Sequence, residues 1–272
     1  MTDGLVGEKI GEGAMADVHA WAPGQVLKLF KVGIPGRIAW YEAHMTRAVF
    51  AAGGPAPEVL DEVKVEGRRG IVLPRLDGPT LLQLLQDGVT TPEAAGTVLA
   101  TLGLAVHKTP SPPEALPILD YMEASLKLPE AQIPEHIANG VLALIRRLPP
   151  DEGLCHCDLH PGNVIMTAEG PRLIDWTGAR RSGATLDMAC CQFLFTELVP
   201  EGHGDPQRQR ALNVAVQSEY ARLVGMSPDA LRAAMEAHLP VMRLFFLLPG
   251  IARPATRERL LQRLEADLRS LD

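Results

Sequence analysis

In the segment His156-Cys157-Asp158-Leu159-His160-Pro161-Gly162-Asn163 an aspartate and an asparagine stand five positions apart, and a second aspartate follows in Ile174-Asp175-Trp176. This is the strongest constraint on the fold, because one short piece of chain must bring three oxygen-bearing side chains to one place. The residues between them permit it. Val164 to Thr167 and Arg172 to Ile174 read as two short strands around the turn Ala168-Glu169-Gly170-Pro171, with Asp175 ending the second strand. A hairpin of that size returns Asp175 to the side of Asn163.

Two acids and an amide so spaced suit phosphoryl transfer. Asp158 is placed to accept the proton of an attacking hydroxyl, while Asn163 and Asp175 offer hard oxygen ligands to a magnesium ion that bridges nucleotide phosphates. A single Asp in a turn commonly does no more than cap a backbone amide. The ordered set argues for catalysis.

On these residues the chain resembles the aminoglycoside phosphotransferase and choline kinase-like family, whose usual patterns are roughly H-G-D-L-H-P-G-N and I-D-W or I-D-F. The protein-kinase pattern, H-R-D-x-x-x-x-N with D-F-G, shares the geometry and differs at two places. Cys157 stands where those kinases often carry an arginine that reads a phosphorylated activation loop, and His160 stands where they carry lysine. No phosphate-read switch is therefore expected. The resemblance implies a protein-kinase-like α+β fold of two lobes, a small antiparallel sheet lobe with one helix and a larger, mostly helical lobe.

The other parts of such a site are present in order. Ile10-Gly11-Glu12-Gly13-Ala14-Met15-Ala16-Asp17-Val18 lies between two strand-like runs, and Gly11 and Gly13 allow backbone amides to approach phosphate oxygens. Ala16 replaces the third glycine of G-x-G-x-x-G, so the segment alone describes a hairpin turn equally well. Position favours the phosphate turn, since the run Gln25-Val26-Leu27-Lys28-Leu29-Phe30 follows where the kinase fold carries its phosphate-binding lysine. Lys28 sits in an apolar alternating stretch, so its ammonium must snorkel outward or meet an anion. The resemblance makes Glu42, on a helical pattern between Pro35 and Ala52, the ion-pair partner.

Gly70 to Gly78 reads as an apolar strand ending in a polar turn, which fits an edge strand followed by a loop as well as the connector between lobes; its order along the chain favours the connector. By resemblance adenine binds here, with Leu73 as gatekeeper, the Pro74 carbonyl accepting from the exocyclic amine and the Leu76 amide donating to the ring. A proline at position 74 is compatible, because only its carbonyl is needed. The resemblance gives Asp187, at the start of an apolar helical run through Leu198, the task of holding the catalytic loop's backbone. The helix dipole favours an acid there as well. His160 either contacts phosphates or stabilises the loop, and His156 anchors the loop by packing.

At 272 residues and 46% apolar composition the chain can bury a sizeable core. Residues 1–76 carry short β-like runs and one helix and form the expected nucleotide-binding lobe; residues 77–272, dominated by helical periodicity as in Leu81 to Leu85 and Ala94 to Val106, form the lobe with the catalytic loop and acceptor site. Further helices are expected near Pro206 to Val224, Pro228 to Leu248 and Ala255 to Leu271, punctuated by Gly204 and Pro254. Lys108 to Pro113 is a proline-rich loop opening a segment to about Pro134 that fits either a wall of the acceptor site or a surface connection.

The N-terminus shows no signal-peptide pattern, and the apolar run Leu239 to Leu248, interrupted by Pro240 and Arg243, is too short to span a bilayer. Cys155 and Cys157 flank His156, and Cys190 neighbours Cys191. Such spacing suits neither a zinc clamp nor a disulfide framework, so all four read as small core residues and imply a reduced cytoplasm. A net charge of −7, with no basic run or aromatic stacking platform, argues against nucleic acid. Met188 to Asp272 holds ten acidic and ten basic side chains, so the acceptor side has no carboxylate excess to draw a polycationic antibiotic. The span from Asp175 to Asp187 has no A-P-E anchor or room to dock a peptide, which argues against a protein substrate.

The expectation is thus an enzyme that moves the γ-phosphate of ATP, with magnesium, onto a hydroxyl of a small molecule. Motifs leave three readings open: an aminoglycoside phosphotransferase-like kinase, a kinase of a sugar, amino alcohol or choline-like metabolite, and a silent nucleotide-binding module. Intact Lys28, Asp158, Asn163 and Asp175 count against the silent module.

Overall fold

The computed structural model describes residues 6–148, 152–198, 205–248 and 254–270. Five antiparallel strands come first: β1 (Lys9–Glu12), β2 (Ala16–Ala20), β3 (Gln25–Phe30), β4 (Asp61–Val65) and β5 (Arg68–Pro74), in the spatial order β1-β2-β3-β5-β4. Strand alternation decides which way each side chain of β3 points. Leu27 and Leu29 join Val72 and half-buried Trp21, Val63 and Val65 on one face. Phe30, on the other face, packs with Ala16, Ile71 and with Ala39 and Ala43 of helix α1 (Gly36–Ala51). Lys28 shares the period of Phe30 and so faces α1. That helix also places Met45 and Val49 in the large core of the helical part, so one element is buried against two cores.

From Leu81 onward the chain is mostly helical: α2 (Leu81–Gln86), α3 (Pro92–Lys108), α4 (Ile118–Leu126), α5 (Glu135–Arg147), α6 (Ala184–Thr196), α7 (Pro206–Val224), α8 (Pro228–Glu236), α9 (Leu239–Leu247) and α10 (Pro254–Arg269). Local signals set several of these ends. Thr80 and Gln83 form a reciprocal capping box on α2, and Thr91, Asp205 and Ser227 cap α3, α7 and α8, each followed by a proline in the first turn. Two small ladders carry the loops between: β6 (Leu154–Cys155) pairs with β9 (Arg180–Arg181), and β7 (Val164–Thr167) with β8 (Gly170–Leu173). The α+β architecture read from the sequence is the observed one.

Several details differ from expectation. Helix Pro228 to Leu248 is two helices, broken between Glu236 and Leu239, because Pro240 has no N–H to donate and therefore sits in the first turn of a new helix. Helix α5 was not anticipated. The segment from Lys108 to Pro134 is not only a surface connection: α4 lies in it and buries Ile118 and Met122 in the large core. In the hairpin the turn is Ala168-Glu169 alone, since Thr167 pairs directly with Gly170, and β8 stops at Leu173. Gly204 lies outside the described residues.

The four cysteines are buried, and none of them forms a disulfide among the described residues. The Cys155 thiol donates to the Gly183 carbonyl, that of Cys190 donates to the Cys157 carbonyl, and burial pushes the Cys190 and Cys191 thiols up. Among the described residues no helix is long and apolar enough to cross a membrane.

Candidate active site

The catalytic-loop sequence leaves β6 and enters β7, and its first turn hangs on Asp187. The buried Asp187 carboxylate, in the first turn of α6, accepts from the backbone N–H of His156 at 3.0 Å and of Cys157 at 2.7 Å. It also receives His107 Nε2 at 3.0 Å, while His107 Nδ1 lies 2.6 Å from the Tyr220 hydroxyl. These partners explain why the loop can hold Cys157 in the left-handed region, at φ 57°, which a non-glycine residue seldom occupies. His156 is fully buried, edge-on to the Trp176 ring, with Nε2 at 3.2 Å from the Ile174 carbonyl. Burial lowers its basicity, so it serves as a neutral packing group, and its position links the loop to the Asp175 segment.

Asp158 and Asn163 meet directly. The Asn163 amide nitrogen donates to the Asp158 backbone carbonyl at 3.0 Å and to its Oδ2 at 2.9 Å. Between them, His160 Nδ1 accepts from the Gly162 N–H at 3.0 Å and caps the short 3-10 turn Pro161–Asn163. That bond leaves Nε2 to face Asp158 Oδ1 at 3.7 Å. Burial alone would lower the His160 pKa, yet the Asp158 carboxylate raises it on balance.

Asp175 does not end the second strand, as expected, but stands two residues beyond it in the left-handed region at φ 64°. The Ile174 N–H donates to the Asn163 carbonyl at 2.9 Å, so the hairpin does return this segment to Asn163. Lys28 Nζ lies 3.3 Å from Asp175 Oδ1 and 2.5 Å from Glu42 Oε1. Burial opposes charge on all three, and the outcomes differ. Against burial, the two carboxylates hold the Lys28 ammonium above its ordinary range. Burial dominates at Glu42, which is pushed up, whereas Lys28 and the Thr177 hydroxyl overcome it at Asp175 and bring that carboxyl down to about 2.

The glycine turn joins β1 to β2, with Gly11 paired to Val18 and a bulge between Lys9 and Gly11. The Gly13 N–H donates to the Ala16 carbonyl at 2.8 Å, so this amide closes the turn here, and the Gly13 carbonyl accepts from Lys31 Nζ at 2.7 Å. In β5, Leu73 pairs with Val26 and Pro74 with Gln25, while Leu76 is half-buried in the connector. The connector is pinned: the Met166 N–H donates to the Pro79 carbonyl at 2.9 Å, and a Cβ on Gly78 would fall 2.0 Å from the Met166 carbonyl oxygen.

Three groups at this site had no signal pointing to them in the sequence. Thr177 Oγ1 lies 2.7 Å from Asp175 Oδ1 and 2.8 Å from Glu42 Oε2. The Tyr41 hydroxyl donates to the Ala179 carbonyl at 2.7 Å. The buried Arg180 guanidinium donates to the carbonyls of Thr177 and Ala179 and lies 3.7 Å from the Tyr121 ring centroid, 5.0 Å from that of Tyr41 and 5.7 Å from that of Phe245, with no carboxylate partner among the described residues. Nothing in the pair Arg180-Arg181 distinguishes it from a solvated basic pair until the rings from α1, α4 and α9 surround it.

The donor set fits a hard cation. The Asn163 amide nitrogen is directed at Asp158, which leaves its oxygen as the ligand atom, and Asp175, on the segment that Ile174 ties to the Asn163 backbone, stays ionised.

Comparison with solved structures gives the same architecture. An aminoglycoside-3'-phosphotransferase of type VIII superposes with a TM-score of 0.55 at 20% identity, over 86% of this chain and 93% of that one. The GDP complex of aminoglycoside 2'-phosphotransferase-IIIa gives 0.58 at 14% identity, over 97% and 93%. A putative fructosamine-3-kinase from Haemophilus somnus gives 0.61 at 11% identity, over 96% and 92%. No curated protein sequence matches the chain. A sequence model of the phosphotransferase enzyme family matches residues 26–225, from the strand of Lys28 through the catalytic loop and Asp175 to the end of α7, and the chain therefore belongs to that family.

Proposed function

We propose that this phosphotransferase moves the γ-phosphate of ATP to a hydroxyl group of a small molecule. The observation that carries the reading is the contact of Asp158 with Asn163 on one loop while Asp175, joined to that loop through Ile174 and Asn163, meets Lys28 from the sheet. Residues 1–76 act as the nucleotide-binding lobe and residues 77–272 as the lobe that carries the catalytic loop and acceptor site. Asp158 orients the acceptor hydroxyl and takes its proton. Asn163 holds Asp158 in place through its amide nitrogen and, with Asp175, offers oxygen to magnesium. Bound there, magnesium neutralises phosphate charge. Lys28, kept charged by Glu42, orients the phosphates; Gly11 and Gly13 cover them; Leu73, Pro74 and Leu76 receive the adenine; His160 supports the loop from the nucleotide side.

A short stretch between Asp175 and Asp187 supports a small acceptor over a protein, and four buried cysteines outside any disulfide fit a cytoplasmic enzyme. The test is a screen of purified protein with magnesium-ATP against aminoglycosides, macrolides, sugars, homoserine and choline, following ADP release and product mass. Acceptor-dependent ADP release with a mass gain of one phosphoryl group is expected. Identical ADP release in every well, unaltered by Asp158→Asn, would overturn the reading.

A further inference from the structure

Thr177 stands two residues beyond Asp175, in the 3-10 turn Trp176–Gly178. Its hydroxyl is within hydrogen-bond distance of two carboxylates, one on the segment after β8 and one on α1: Asp175 Oδ1 at 2.7 Å and Glu42 Oε2 at 2.8 Å, with Glu42 135 positions away along the chain. Lys28 Nζ approaches the same Asp175 oxygen at 3.3 Å and the other Glu42 oxygen at 2.5 Å. The four side chains close a ring in which Thr177 is the one uncharged member.

A threonine hydroxyl has one hydrogen and so donates to one acceptor at a time. When it donates to Asp175, it helps hold a residue whose backbone is in the left-handed region. When it donates to Glu42, Asp175 Oδ1 is left to other partners while Glu42 remains aimed at Lys28. Either bond is to an ionisable group in a half-buried place, the setting in which a single hydrogen bond counts most.

Building on the phosphotransferase reading of this cleft, we propose that Thr177 is a positioning residue: by switching its hydrogen between Asp175 and Glu42, it presents Asp175 to the metal-bound nucleotide while keeping Glu42 on Lys28. It touches neither phosphate nor acceptor in this role. It acts through Asp175 and Glu42, and it spans the sheet-side helix α1 and the metal-side loop.

The test is titration calorimetry of ADP binding at a series of magnesium concentrations, for wild type, Thr177→Val, Thr177→Ala and Thr177→Ser, with thermal unfolding as a check on folding. Valine keeps the shape and removes the hydroxyl; alanine repeats the test with no branched side chain to accommodate. The magnesium concentration giving half-maximal enhancement of ADP binding should rise about ten-fold in Val and Ala, the worth of one hydrogen bond to a charged group. ADP binding without magnesium should weaken less than ADP binding with it, and Ser should return the magnesium dependence to wild type. Wild-type magnesium dependence in both Val and Ala, or a Ser variant as impaired as Val, overturns the role of Thr177 alone. A wild type that binds no ADP with magnesium overturns the nucleotide reading beneath it and the proposal together.

Discussion

Asp187→Asn tests how the catalytic loop is held. The wild-type carboxylate accepts three N–H groups, from Cys157 at 2.7 Å and from His156 and His107 at 3.0 Å, in full burial. Asparagine has one oxygen and a donor in place of the other, so whichever way it turns, at least one buried N–H faces another N–H. The best orientation keeps His156 and His107 and abandons Cys157. Losing one charge-assisted bond and stranding a buried donor costs about 3 kcal/mol, an amount partly offset because a neutral amide is cheaper to bury than a carboxylate. For a chain of this size that corresponds to a fall in Tm of roughly 5–10 °C.

The pH dependence gives a second, independent sign. Burial alone would raise the Asp187 pKa, but His107 and the backbone donors hold it below its ordinary value of 3.8. A carboxyl depressed on folding stabilises the fold above the unfolded-state value, and that contribution is lost as pH falls through the folded-state value. The variant has no such group. The stability gap between wild type and Asp187→Asn should therefore be full at neutral pH and narrow as pH falls below about 4. Circular dichroism melts of both proteins from pH 7 to pH 3 make the comparison, with all other carboxylates common to the pair. A variant that melts with wild type at pH 7, or a gap that is constant down to pH 3, refutes the reasoning.

Three other outcomes follow. Asp158→Asn should lower turnover by about 10³-fold or more while ADP binding, measured by calorimetry, is nearly kept, because the group acts on the acceptor. Gly78→Ala should cost about 2–3 kcal/mol in urea unfolding, since its Cβ would meet the Met166 carbonyl at 2.0 Å and its φ of 152° strains an L side chain. Lys28→Met should abolish tight nucleotide binding and destabilise the fold by about 3 kcal/mol by leaving Glu42 buried without its cation; adding Glu42→Gln should restore part of that stability, and a double-mutant cycle showing no coupling would contradict the pair.

What the sequence revealed, and what it hid, follows from chain distance. Asp158, Asn163 and Asp175 were readable because a five-residue loop and one hairpin bring them together, so their spacing carries the geometry. Glu42 was reachable through resemblance alone, since nothing local in α1 separates it from a surface glutamate; the strand period that turns Lys28 toward α1 supplies the physical reason for the 2.5 Å contact. Thr177 and Arg180 were not legible, because Glu42, which joins Thr177 to α1, and the rings that surround Arg180 lie on elements far away in the chain. At the site, the left-handed residues Cys157 and Asp175 carry no glycine to mark them, and the break before Pro240 was hidden under a continuous apolar run.

The surroundings of Arg180 bear on how the sheet-side helix stays seated. Its guanidinium is matched by ring faces from three helices and by two carbonyls, and none of these is a mobile counter-charge that dissolved ions could replace. Exposed pairs such as Arg47 with Glu62 weaken as ionic strength rises. The ring cage that Tyr41 of α1 shares with Tyr121 and Phe245 around Arg180 is far less open to screening, so a concentrated salt solution should weaken the surface ion pairs well before it loosens α1 from the helices beneath it.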